Sequence, residues 1–191
     1  NALIRLSKGR TLPPFITQLT GITPEALAAE GIEKTEAAAS FCRLLEREDT
    51  LLVAYNAQFD LNFLYYLLRD AGRASCLKDL KFLDALTVYK DRRDYPHKLK
   101  DAIAAYGLDG EVENSHRAVD DARAMTALLW AMAAERDDLL EYVNLFGYHP
   151  KYGVSGKRIS SVTYLPQGYR RGAPLYEKKR GGDAAAWSGR T

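Results

Sequence analysis

Apolar positions along the chain switch between short continuous runs and a helical period, and the switching marks out the elements. "NALIRL", at the start, is a short apolar run that reads as a strand. Thr23-Pro24-Glu25 opens a brief helix, with a hydroxyl at the N-cap, proline at the first helical position and an acid at the positive end of the dipole. Ala38, Phe41, Leu44 and Leu45 share one face of a helix predicted over 34–47. "TLLVAY", residues 50–55, reads as a buried strand. It leads into a helix in which Phe59, Phe63, Leu64, Leu67 and Leu68 recur at helical spacing, stopped by Gly72. "LKFLDAL" repeats the arrangement, a strand ending near Asp84 followed by a helix to about Lys90. "HKLKDAIAAYG" is a further amphipathic helix, from Leu99 through Ile103 and Tyr106 to a Gly107 cap, and a last long helix is predicted from Ala118 to Val143.

Strands alternating with helices predict an α/β layered domain. No fixed-period repeat is visible. Past Gly147 the chain turns to glycine, proline, tyrosine and basic residues, with one candidate strand, "ISSVTYLP", and a final stretch, 181–191, whose composition suits disorder. The expected division is a domain over 1–144 and a basic, largely irregular extension over 145–191.

Composition narrows the class without changing that division. A chain of 191 residues, 47% hydrophobic and 27% charged, has ordinary globular usage. The longest apolar run, Ala127 to Ala134, is far short of the ~20 residues a membrane span needs. Cys42 and Cys76 lie in unrelated contexts without C-x-x-C spacing, which argues against a disulfide framework and a zinc site and favours a reducing, cytoplasmic setting. Net charge is +2, but the nine Lys and Arg from Tyr142 onward face only Glu177 and Asp183, so the body is acidic and the extension basic. That asymmetry suits a protein that holds cations in one place and grips a polyanion in another.

Candidate chemistry gathers at two helix openings. Asp60 follows a strand at the start of one helix, and Asp121 stands in the first turn of another. Singly, each is adequately explained as an acid stabilising a helix N-terminus. Open α/β sheets, however, place their sites at the carboxyl ends of strands, where two such acids can converge. His116 precedes Asp121 by five residues. One histidine before a helix is commonly a hydrogen-bonding loop residue, yet beside a metal-binding carboxylate an imidazole suits proton removal.

"LTGIT" (19–23), "AYNAQFDLNFL" (54–64), "FLDALTVYK" (82–90), "HKLKDAIAAYGL" (97–108) and "HRAVDDA" (116–122) follow the order and spacing of the DEDDh exonucleases, and over residues 1 to about 135 the chain resembles that family. Its members have a ribonuclease H-like α/β fold, a mixed sheet flanked by helices. They include the proofreading epsilon subunits and exonuclease domains of bacterial replicative DNA polymerases. The resemblance implies that Asp60 and Asp121 are metal ligands, that His116 is the general base, and that Asn56 and Phe59 line the pocket for the 3′-terminal nucleotide. Asp84 is better read as a strand-end or N-cap residue, and Asp120 as a solvated neighbour. Two divalent ions, Mg²⁺ or Mn²⁺, are implied as cofactors, because paired ions neutralise a phosphate and activate a water between carboxylate oxygens. The implied substrate is the 3′ end of DNA, single-stranded for preference, cleaved to nucleoside monophosphates in proofreading or repair. RNA stays open as a substrate, and DNA polymerase subunits as partners.

The family's first motif, D-x-E on its first strand, has no counterpart here, and Glu111-Val-Glu113 is a poor substitute in a glycine-flanked loop. The resemblance therefore implies a domain lacking its first two strands and inactive in this form, with the natural start about 30 residues earlier at typical strand and hairpin lengths. "NALIRL", matching the third strand, would then have no partner. The alternative is a non-catalytic nucleic-acid-binding module derived from the same fold.

Overall fold

The structure, a computed structural model, describes residues 2–47, 49–110, 117–168 and 170–177. His116, the Glu111–Glu113 pair, Tyr169, Lys178, Lys179, Arg180 and the stretch 181–191 therefore lie outside the described residues.

In chain order the elements are α1 (Pro14–Thr20), α2 (Pro24–Glu30), α3 (Lys34–Leu45), β1 (Leu51–Ala54), α4 (Ala57–Asp70), β2 (Lys81–Asp84), α5 (Ala85–Arg92), α6 (Leu99–Ala105), α7 (Ala118–Glu135) and a short hairpin of β3 (Tyr148–His149) and β4 (Gly153–Val154). The start of α2 forms as its residues dictate, with the Thr23 hydroxyl accepting from the Ala26 N–H at 3.1 Å. β1 and β2 pair in parallel, Leu51 opposite Lys81 through Ala54 opposite Asp84, and the connection between them runs through α4.

Alternation along the strands sorts the core into two layers. Leu52, Ala54 and Phe82 face α3 and α4, where Ala38, Cys42, Leu45, Leu61 and Leu68 pack. Leu51, Val53 and Leu83 face the other way, onto Val88, Ala102, Leu128 and Met132 of α5, α6 and α7. Residues beyond 144 are built into both layers. Phe146, Ile159, Val162 and Tyr164 fill the first, and Leu145, Leu175 and Tyr176 pack on the second. Gln58 on α4 ties this segment down by donating to the Lys157 carbonyl at 3.0 Å. Gly147, at φ +60°, passes so close that a Cβ there would meet the Gln58 carbonyl oxygen at 3.0 Å.

Several expectations give way to tertiary partners. "NALIRL" contributes only an isolated parallel bridge, Ile4 to Ile32. "ISSVTYLP" is not a strand but an irregular segment that buries Ile159, Val162 and Tyr164. α7 ends at Glu135, well before Val143, because the residues after it turn inward onto Arg92 of α5. Arg92, only 2% exposed in its side chain, donates to the Met132 carbonyl at 2.6 Å and to the Asp138 carboxylate at 2.5 Å. Continuing the helix would carry Asp138 away from that guanidinium. Phe59 and Phe63, placed by periodicity on the core face of α4, are 57% and 66% exposed, and the buried face is Ala57, Leu61 and Leu68.

The cysteine expectation is overturned. Cys42 of α3 and Cys76, in the 3₁₀ turn Ala74–Leu77, form a disulfide with a Cα–Cα distance of 5.7 Å. Sequence spacing carried no sign of it because α4 and its turn return the chain to α3. The argument for a reducing compartment falls with it. Among the described residues, no helix is long and apolar enough to cross a membrane.

Closing a loop of this 34-residue separation restricts the unfolded chain, so reduction should cost about 3–4 kcal/mol of stability. Urea unfolding with and without dithiothreitol measures this. Superimposable curves would show that the bond adds nothing.

Candidate active site

The loops that follow β1 and β2 are locked together by one side chain. Asp84, at the end of β2, is 5% exposed and caps α5 by accepting from the Leu86 N–H at 3.2 Å and the Thr87 hydroxyl at 2.9 Å. The same carboxylate accepts from the N–H groups of Asn56 and Ala57, at 2.8 and 3.2 Å, across the sheet. Asn56 reaches that position in the left-handed region, φ +70°, which a short amide side chain tolerates. Burial pushes the Asp84 carboxyl above its ordinary range, against the pull of the Thr87 hydroxyl and the three N–H donors.

With the opening of α4 thus fixed, Asp60 stands in its first turn and Asp121 in the first turn of α7. Both line one cleft of about 510 Å³. The cleft follows the outer edge of β1, which no strand pairs with among the described residues. Leu52, Leu64 and Phe41 wall it from one layer, Val53, Leu99 and Met125 from the other. Asp60 keeps an exposed face, yet the cleft walls withdraw enough water to push its carboxyl up from the usual range. Its own backbone N–H opposes this, and the nearby Asp84 charge adds to it.

Phe59 also lines the cleft, with its ring 5.0 Å from that of Phe63. Asn56 does not line it; its backbone serves the turn to Asp84. Asp120 lies beside Arg123 at 3.6 Å. His116, immediately before the described start of α7, is outside the described residues. The structural part played by Asp84 across two loops was only half visible in sequence. Its N-cap position is a local signal, whereas its reach back to Asn56 is not.

Two carboxylates and no thiolate or imidazole among the described lining residues make a donor set suited to a hard divalent cation. It is an incomplete one, since among the described residues no three His, Cys, Asp or Glu side chains gather as a metal site.

The sequence model of the exonuclease family matches residues 1–129. The chain belongs to this family. Its DEDDh-type members have the ribonuclease H-like fold, and the small parallel sheet between helical layers here is the corresponding architecture. Relatives from Staphylococcus aureus strains USA300, NCTC 8325 and MRSA252, each named 3'-5' exonuclease DinG, are 30% identical over 131 residues. That stretch is 68% of this chain but 14% of each relative, so the chain spans a small part of their length. Exonucleases of this family are nuclease hydrolases that act on nucleic acids and generally use divalent metal ions.

Asp84→Ala should remove the acceptor for four donors at once and destabilise the exonuclease domain by about 3 kcal/mol, with Asp84→Asn costing roughly half as much because one oxygen acceptor survives. Chemical denaturation of the two variants checks the order. Equal stability of Ala and wild type would mean the carboxylate does not hold the loops.

Proposed function

We propose that the chain is the catalytic portion of a 3′-5′ exonuclease acting on DNA 3′ ends, with Asp60 and Asp121 as metal ligands and His116 as general base. The observation that carries the reading is that carboxylates from two separate helices line a single cleft beside a strand edge. Bound Mg²⁺ or Mn²⁺ supplies charge neutralisation at the scissile phosphate and lowers the cost of ionising a water there. The protein's own residues do the rest. Asp60 and Asp121 hold the ions from two walls of the cleft, and the N-terminal ends of α4 and α7 lie behind them. The exposed Phe59 ring offers a face on which the terminal base stacks, worth about 1–3 kcal/mol, and this favours an unpaired, single-stranded end. His116, five residues before Asp121 in sequence, takes the proton from the attacking water. Proofreading or repair is the process that needs such trimming, beside a polymerase in the first case.

A non-catalytic nucleic-acid-binding module is the second reading, favoured by the count of two carboxylates in the cleft among the described residues. A single titration of Mn²⁺ against a 3′-labelled oligonucleotide, following binding and release of nucleoside monophosphate together, separates the two. With the D-x-E carboxylates of the family's first motif supplied on an extended chain, the exonuclease reading expects metal-dependent release, reduced at least 10²-fold by Asp60→Asn or Asp121→Asn and roughly 10²- to 10⁴-fold by His116→Ala with binding little changed. Binding without release under all metal conditions supports the module instead. Release that is indifferent to all three substitutions overturns the site.

A further inference from the structure

The far end of α7 carries a second concavity, of about 610 Å³, and its chemistry is opposite in sign to the cleft. Arg136, Arg170 and Arg171 line it, with Asp91 the one acid among the described lining residues. That acid is already engaged: its Oδ2 accepts from the Tyr142 hydroxyl at 2.6 Å and the Leu175 N–H at 2.9 Å. Arg136 lies 3.6 Å from Asp138, whereas neither Arg170 nor Arg171 forms an ion pair with any described residue.

The loop presenting these cations is held, not loose. Gly168 donates to the Leu175 carbonyl at 2.5 Å and closes its base, and a Cβ at Gly168 would sit 2.7 Å from the Glu177 carbonyl. The Tyr176 hydroxyl donates to Asp138 at 2.9 Å, and its ring packs edge-on against Tyr142 at 5.0 Å. Across the tip, the Ala173 N–H returns to the Arg170 carbonyl at 3.2 Å, with Gly172 at φ +77°. Two free guanidinium groups on a braced loop lose little entropy when they close on a ligand. In sequence, Lys178, Lys179 and Arg180 follow directly.

We propose that this concavity is a phosphate-binding site that grips the backbone of the nucleic acid strand away from the end being processed. Guanidinium forks match phosphodiester oxygens, and a polyanion supplies several of them in register. Asp121 and Arg136 bracket nearly the whole of α7, which at 1.5 Å per residue separates them by about 22 Å. That distance is about six or seven stacked nucleotides at roughly 3.4 Å each. The identity of the strand rests on the exonuclease reading; the anion site itself rests on the arginines.

The test is fluorescence anisotropy of labelled single-stranded oligonucleotides on the whole 191-residue chain, at several salt concentrations, comparing wild type with Arg170→Gln/Arg171→Gln. Both side chains are exposed, so the substitution spares the core that residues 145–177 help to build. With a probe of about 15 nucleotides the double variant should bind about tenfold more weakly and lose roughly 1.4 from the salt slope, whereas a probe of about 3 nucleotides should not distinguish the proteins. The same loss in an Asp60→Asn/Asp121→Asn background supports the arginine site even if the cleft proves not to be catalytic. Unchanged affinity and slope on the long probe overturn the proposal. So does an effect confined to competition by inorganic phosphate, which would make the pocket a small-anion site.

Discussion

The described architecture turns on a buried carboxylate, Asp84, that forms no ion pair among the described residues. Removing a charged carboxyl from water costs several kcal/mol unless hydrogen bonds replace its hydration, and Asp84 recovers them from three backbone N–H groups and one hydroxyl. Those donors belong to the openings of two helices, α4 and α5, whose positive dipole ends converge on the one anion. Because β1 and β2 are only four residues each, the two-stranded ladder is a weak constraint by itself. The Asp84 node adds the rigidity that the short ladder lacks. Asp60 inherits its position from that node, standing one helical turn into α4.

Asp121 is located by other means. α7 is held near its C-terminal end, where Arg92 reaches across from α5 to Met132, Glu135 and Asp138, and along its length by Leu128 and Met132 in the second core layer. The two cleft carboxylates are thus positioned by two independent braces, one at each end of α5. Asp84 at its start orients α4, and Arg92 at its end orients α7. Asp84 and Arg92 are eight residues apart, about 12 Å along the axis of α5, so one short helix carries both braces. The cleft is what remains between α4 and α7 along the unpaired edge of β1.

The strand–helix pairs were legible in sequence because their signals are local. Thr23 and Asp84 cap helices through atoms within three residues, Pro24 opens α2, and the β1 and β2 runs are too short and apolar to be much else. What escaped depends on partners distant in sequence. The end of α7 is set by Arg92, 46 residues before the Asp138 it holds, and the disulfide by a chain reversal through α4. The apolar period of α4 promised a face including Phe59 and Phe63, but the packed face lies to one side of them and leaves those rings at the cleft and surface. Past residue 144 the one apparent signal, the candidate strand "ISSVTYLP", was misleading. An irregular segment fills a core through single side chains such as Phe146 and Tyr164, and such insertions leave no repeating trace. For the site, Asp60 and Asp121 were singled out as acids at helix openings and by the family resemblance, and both line the one cleft, while the buried bracing behind them has no comparable signature.

The two ends of α7 also carry an electrostatic consequence. Its first turn places Asp120 and Asp121 at the positive end of the dipole, and the residue after its last turn is Arg136, at the negative end. These three charges are of the sign the dipole favours, although Glu135 at the last position is not, so helix stability accounts for the placement of the three to within about 1 kcal/mol. A polyanion, however, meets a repulsive field at the carboxylate end and an attractive one at the arginine end. On the proposed reading, divalent cations held by Asp60 and Asp121 would reverse the sign in the cleft, since a bound ion outweighs the fixed partial charges around it. Nucleic acid engaging both ends would therefore be gripped at the arginines whether or not metal is present, and drawn into the cleft only when it is. On the proposed reading, a strand would remain bound while its end is released and re-entered, a separation of holding from processing grounded in charge placement along one helix.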